Sequence, residues 1–180
     1  MSERAHFVLL GEYNEWMNAK MYGAAAGLAQ EALCMDRGAF FGSIMGTLNH
    51  IVAGDTIWLR RFAMHPARPA ALQPLLAQPA PDALTAIYST DLAVLAAHRS
   101  MLDSTIREWV ASLADADLEH VLAYKNTKGV ASQKRFGSLL LHFFHHQTHH
   151  RGQASTLLSQ AGVDIGVTDL LMLIPNQDAA

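Results

Sequence analysis

A single cysteine, Cys34, stands in the 180 residues, which excludes an intramolecular disulfide and any CxxC zinc or redox motif. Nothing then requires an oxidising compartment, and a cytoplasmic protein is expected. Long apolar runs are also missing. No segment approaches the roughly 20 apolar residues that span a bilayer. The opening MSERAHFVLLGEYNEWMNAK is interrupted by Glu12, Asn14 and Glu15, unlike a signal peptide. Thirteen basic and sixteen acidic residues give a net charge of -3, and the basic ones are scattered, so neither nucleic acid nor membrane is expected as a partner. Proline is scarce outside one stretch. Five of six lie from Pro66 to Pro81, which reads as one long connection. With no internal repeat or low-complexity tract, residues 1–180 are expected to form a single domain.

What is abundant is Ala, Leu and Met at spacings of three and four, the helical period. A first helix is predicted from Ser2 to Leu33, with Phe7, Leu10, Met17, Met21, Ala25 and Leu28 along one side. A second runs from Ala39 to Met64, with Phe40, Ile44, Leu48, Ile51, Trp58 and Phe62 facing inward. The third begins after Pro81 with Asp82 as cap and carries Leu84, Tyr88, Leu95, Leu102, Ile106, Trp109 and Leu113. Between Glu119 and Phe136, two short runs flank Asn126–Gly129 and suggest a hairpin. The fourth helix spans Ser138 to about Ala161, with Gly162 as its stop signal, and Thr168–Leu173 adds one more helical turn. The expected class is all-α: a four-helix bundle with long crossover connections and a small hairpin before the last helix.

Histidine is the unusual residue: there are ten, four of them between His145 and His150. On a helical wheel Leu139, Phe143, His146, His150, Ala154 and Leu157 share one narrow stripe, so His146 and His150 should point inward. Ser138, His145, His149, Gly152 and Thr156 form a polar stripe beside it, with His142 on the border; these histidines should meet solvent or another subunit. Two imidazoles at i and i+4 stack along a helix and can converge on one ion at about 2.0–2.1 Å. The plainer alternative is a pair of core histidines satisfied by hydrogen bonds. Two neutral imidazoles on an apolar stripe need several buried partners, which favours the metal.

A third ligand must come from another helix. His50 in TLNHIVAGDTIWL is the leading candidate, beside Gly46 and Gly54, whose missing side chains would leave space around an ion. Spacing alone leaves His98 and Asp91 of the third helix open as ligands or supporting groups. HQTHH matches H-E-x-x-H in spacing, but Gln147 replaces the glutamate, so the general base of a metalloprotease is absent. Arg151 lies on another side of the helix and suits an ion pair or a subunit contact. Cys34 reads as an inert packing residue; Tyr13, Trp16 and Trp58 read as core or interface aromatics.

NHIVAGDTIWL around His50 and HFFHHQTHHRGQ through Gln153 resemble the two motifs of the DinB/YfiT-like family. The resemblance extends over most of the chain, including the helix lengths and the hairpin. It implies that His50, His146 and His150 bind a divalent metal, zinc or nickel, and that the protein is a homodimer. Members include enzymes that use low-molecular-weight thiols, such as bacillithiol S-transferases and a mycothiol-dependent maleylpyruvate isomerase. The implied activity is therefore thiol S-transfer to a small electrophile, with a low-molecular-weight thiol as cosubstrate. A metal-dependent hydrolase and a non-enzymatic metal-binding stress-response protein are the alternatives.

Overall fold

The computed structural model describes residues 2–176, which are mostly helical with one small two-stranded hairpin. Helix α1 (Glu3–Ala25) starts on Ser2, whose hydroxyl accepts from the Ala5 amide. It ends earlier than predicted. Gly27 and the tight bonds from Gly27 N to Ala24 O and from Leu28 N to Ala25 O close the last turn, and Ala29 is extended before the short α2 (Gln30–Cys34). Glycine is among the poorest helix formers, and here it sits where the predicted single helix divides.

Helix α3 (Ile44–Phe62) begins five residues later than the predicted Ala39, because Gly38 and Gly42 have φ of +67° and +74° and turn the chain out of the helix. Ser43 then caps it, accepting from Gly46 N at 3.0 Å. Phe40, expected to face inward, is left in the connection with 86% of its surface exposed.

Helix α4 (Leu92–Ser112) is capped by Asp91, which accepts from Ala93 N at 2.8 Å; the predicted cap Asp82 lies in the preceding connection. Asn49 of α3 explains the delay. Its Oδ1 accepts from Tyr88 N and Ser89 N at 2.7 and 3.1 Å, and its Nδ2 donates to Ser89 O at 2.9 Å. Those backbone groups are thereby removed from a helix, and Leu84 and Tyr88 are exposed rather than on a buried seam. The proline-rich stretch is not featureless: a 3-10 helix over Ala70–Ala77 buries Leu72 and Leu75.

Strands β1 (Val121–Lys125) and β2 (Ala131–Arg135) pair antiparallel, their turn held by Asn126 Oδ1 accepting from Lys128 N and Val130 N. Helix α5 (Phe136–Gln160) follows at once and stops at Gly162, φ +80°, with Val163 N returning to Leu158 O. A final 3-10 turn covers Leu170–Leu173.

α1 packs against α4 and α5, and α3 against α5 and α4. Phe62, Trp109, Phe136 and Phe143 interlock at one end of the core, the Phe62 ring meeting the other three at 5.2, 5.4 and 5.7 Å between centroids. Midway along, the core is polar. Arg99 of α4, with 2% of its surface exposed, pairs with Asp55 of α3 at 2.5 Å and with Asp103 at 2.9 Å. Asp103 accepts from Asn14 and Asn18 of α1; Asp55 also accepts from Gln147 of α5 at 2.8 Å. All four long helices are therefore tied to one buried network. Among the described residues no helix is long and apolar enough to cross a membrane.

Candidate metal centre

The inward stripe of α5 and the adjoining face of α3 bring three imidazoles together. Each of His50, His146 and His150 presents one ring nitrogen such that all three lie within 4.8 Å of one another. The ring centroids of His146 and His150 are 4.4 Å apart, as i and i+4 on one helix allow, and His50 lies 5.1 and 4.3 Å from them.

The backbone assigns the tautomer of His50. Its Nδ1 is 2.7 Å from Leu84 O, a carbonyl that can only accept, so Nδ1 donates and Nε2 keeps its lone pair. His150 is held the same way, Nδ1 donating to Gln153 Oε1 at 2.7 Å one turn further along α5. The two Nε2 atoms then face each other at 3.1 Å. Two lone pairs at that distance repel unless a cation lies between them. Burial lowers the pKa of both rings, which disfavours a shared proton. Nitrogens at about 2.0–2.1 Å from a tetrahedral ion are about 3.3 Å apart, close to the spacing found. Three neutral imidazoles thus fit a borderline divalent ion such as zinc or nickel.

His146 is also held neutral, its pKa lowered to about 3 by burial and by the neighbouring imidazoles. Its ring lies on the backbone of α3 at Gly54: a Cβ built there would sit 2.9 Å from His146 Cε1. The expectation that Gly46 and Gly54 leave open space is corrected by this. The space at Gly54 is filled by His146, and at Gly46 an added Cβ would meet the Phe41 carbonyl oxygen at 2.1 Å. That close approach lets Phe41 stack on His50, 3.8 Å between centroids.

His98 and Asp91 are not part of the cluster. His98 stacks on Tyr88 at 3.9 Å, and Asp91 is the α4 cap. His142, His145 and His149 are exposed, as the wheel indicated, with His142 against Trp58 at 5.1 Å. Cys34, expected to be packed, is exposed. Arg151 is buried beneath the Tyr13 ring and hydrogen-bonds to Asn14 Oδ1, and to Thr148 Oγ1 at 3.1 Å, so it joins α5 to α1 without a direct ion pair. Gln147 donates to Asp55 and so turns away from the histidines; a glutamate there would face that buried carboxylate.

Sequence reasoning missed Gln153 and the Leu84 carbonyl as groups that aim the rings. Gln153 follows His150 by three residues, a spacing that places the two on one helix face; the Leu84 contact bridges 34 residues and leaves no local signal. Gln153→Ala is expected to lower zinc affinity by about 10- to 100-fold with little change in melting temperature, measured by competition with a chromophoric chelator. An unchanged affinity would mean that His150 is aimed by other contacts.

Comparison with known proteins agrees with the motif resemblance. The chain is 25% identical over 160 residues to Protein DinB of Bacillus subtilis (strain 168), a match covering 89% of this chain and 88% of that protein. No solved structure matches significantly. The sequence profile of the DinB family matches residues 1–178, and the chain belongs to the DinB family.

Proposed function

We propose that this protein is a four-helix bundle that binds one divalent ion through His50, His146 and His150, and that it transfers a low-molecular-weight thiol to a small electrophile. The observation that carries the metal is the pair of Nε2 lone pairs facing at 3.1 Å, with both Nδ1 protons committed elsewhere. The family resemblance supplies the thiol. When bound, the ion stabilises a thiolate over the thiol and so raises the population of the nucleophile. The chain's own part is positional: Leu84 O and Gln153 fix two rings, Gly54 admits the third, and Phe41 covers His50. In the transfer a sulfur–carbon bond forms, the electrophile's leaving group departs with its electron pair, and the thiol proton goes to solvent.

Hydrolysis is less well supported, because the cluster contains no carboxylate and the buried Asp55 is committed to Arg99 and Gln147. Exposed Leu141, Leu171 and Met172 suit a homodimer. The test is metal content by inductively coupled plasma mass spectrometry on untagged protein. Near-stoichiometric zinc or nickel is expected in wild type, with loss in His146→Ala/His150→Ala. Thiol consumption with a panel of alkyl halides then tests the transfer. Wild type that takes up neither metal on incubation would leave a helical protein with three core histidines.

A further inference from the structure

Continuing along α3 from His50 leads past Gly54 and Trp58 to Arg61. At 100° per residue Arg61 returns to within about 20° of His50, roughly 16 Å further along the axis. Its guanidinium lies over two neighbouring rings, with Cζ 4.6 Å from the Trp58 centroid and 5.1 Å from that of Tyr124 on β1. The rings themselves are 5.3 Å apart. Among the described residues Arg61 has neither a carboxylate at ion-pair distance nor a hydrogen-bond acceptor, although it is partly buried.

The neighbouring Arg60 differs. Its Nη1 donates to the carbonyls of Leu75 and Gln78, which ties this arginine to the fold. Arg61 has all of its donors free, and it borders a cavity of about 510 Å³ with Ile57, Tyr124 and Lys125. Asp82 is also on the wall, so the cavity carries Arg60, Arg61 and Lys125 against one acid, a net positive lining. An arginine stacked on aromatics presents a planar fork that matches a carboxylate or phosphate in two parallel hydrogen bonds. Trp58 also contacts His142, whose ring lies 5.9 Å from that of His146.

We propose that the cavity between α3 and the hairpin is an oxyanion subsite, in which Arg61, aided by Lys125, binds the carboxylate or phosphate of a small molecule. Anion binding at Arg61 does not rest on the function proposed above. Isothermal titration calorimetry with succinate and with inorganic phosphate tests it, on protein as purified and after metal removal by chelation. One equivalent of at least one probe is expected to bind, about tenfold or more weakly in Arg61→Gln, and with intermediate affinity in Arg61→Lys, which keeps the charge but not the fork. Preference for succinate or for phosphate identifies the oxyanion. His146→Ala/His150→Ala should retain the binding, so failure of the metal assignment leaves this test intact. Binding of neither probe by wild type, or equal binding by a folded Arg61→Gln, would overturn the subsite.

Discussion

Gly54→Ala is expected to weaken the proposed metal binding severely while leaving the helices at least as stable. Alanine in place of glycine within a helix gains up to about 1 kcal/mol. The added Cβ, however, would stand 2.9 Å from Cε1 and 3.6 Å from Nδ1 of His146. What yields is the imidazole, because it ends a side chain with two free torsions, whereas α3 and α5 are fixed by their packing. Turning that ring away removes one of three donors, and zinc affinity should fall by at least roughly 100-fold, the upper end of what disturbed ligand orientation costs. Chelator competition measures the affinity and thermal unfolding the stability. A folded variant that binds zinc as tightly as wild type would remove His146 from the donor set.

The second large effect lies in the polar core. Arg99→Met leaves Asp55 and Asp103 buried without their cation, and breaking a buried pair in this way costs about 3–5 kcal/mol. In a chain of this size that lowers the melting temperature by about 6–20 °C. The loss should depend on pH. Burial already raises the pKa of both carboxyls, that of Asp103 to about 6, against the lowering influence of Arg99. Removing the guanidinium raises them further. A carboxyl that binds its proton more tightly folded than unfolded adds stability as pH falls, so the variant should recover part of its deficit between pH 7.5 and about pH 5. Thermal unfolding across that range reads the effect. A deficit that stays constant or grows on acidification would mean that the two carboxylates find other partners.

The parts legible in advance were those written in local periodicity. In the stripe Leu139–Phe143–His146–His150–Ala154–Leu157 the four apolar residues are buried and the two histidines half-buried, as the 3.6-residue repeat requires of one face, and Asn126–Gly129 turns the hairpin where its residue types place it. The starts of α3 and α4 were less legible, the first because backbone conformation at two glycines decided it and the second because a partner distant in sequence did. Asn49 holds residues 88 and 89 out of α4, and the positive-φ glycines at 38 and 42 delay α3. The polar network was missed, although Asn14 with Asn18 and Arg99 with Asp103 are both i,i+4 pairs, the spacing that puts two side chains on one helix face.

By itself, then, the sequence determined the helical class, the inward pair on the last helix and, through its motifs, the family. The distances at which His50, named in advance only through the motif resemblance, meets that pair, the need for Gly54 and the placement of Arg61 over Trp58 and Tyr124 were decided by tertiary structure. The physical reason is range. Periodicity fixes which face of a helix is buried, but the distance between atoms on different helices depends on how those faces pack, and no short stretch of chain encodes it.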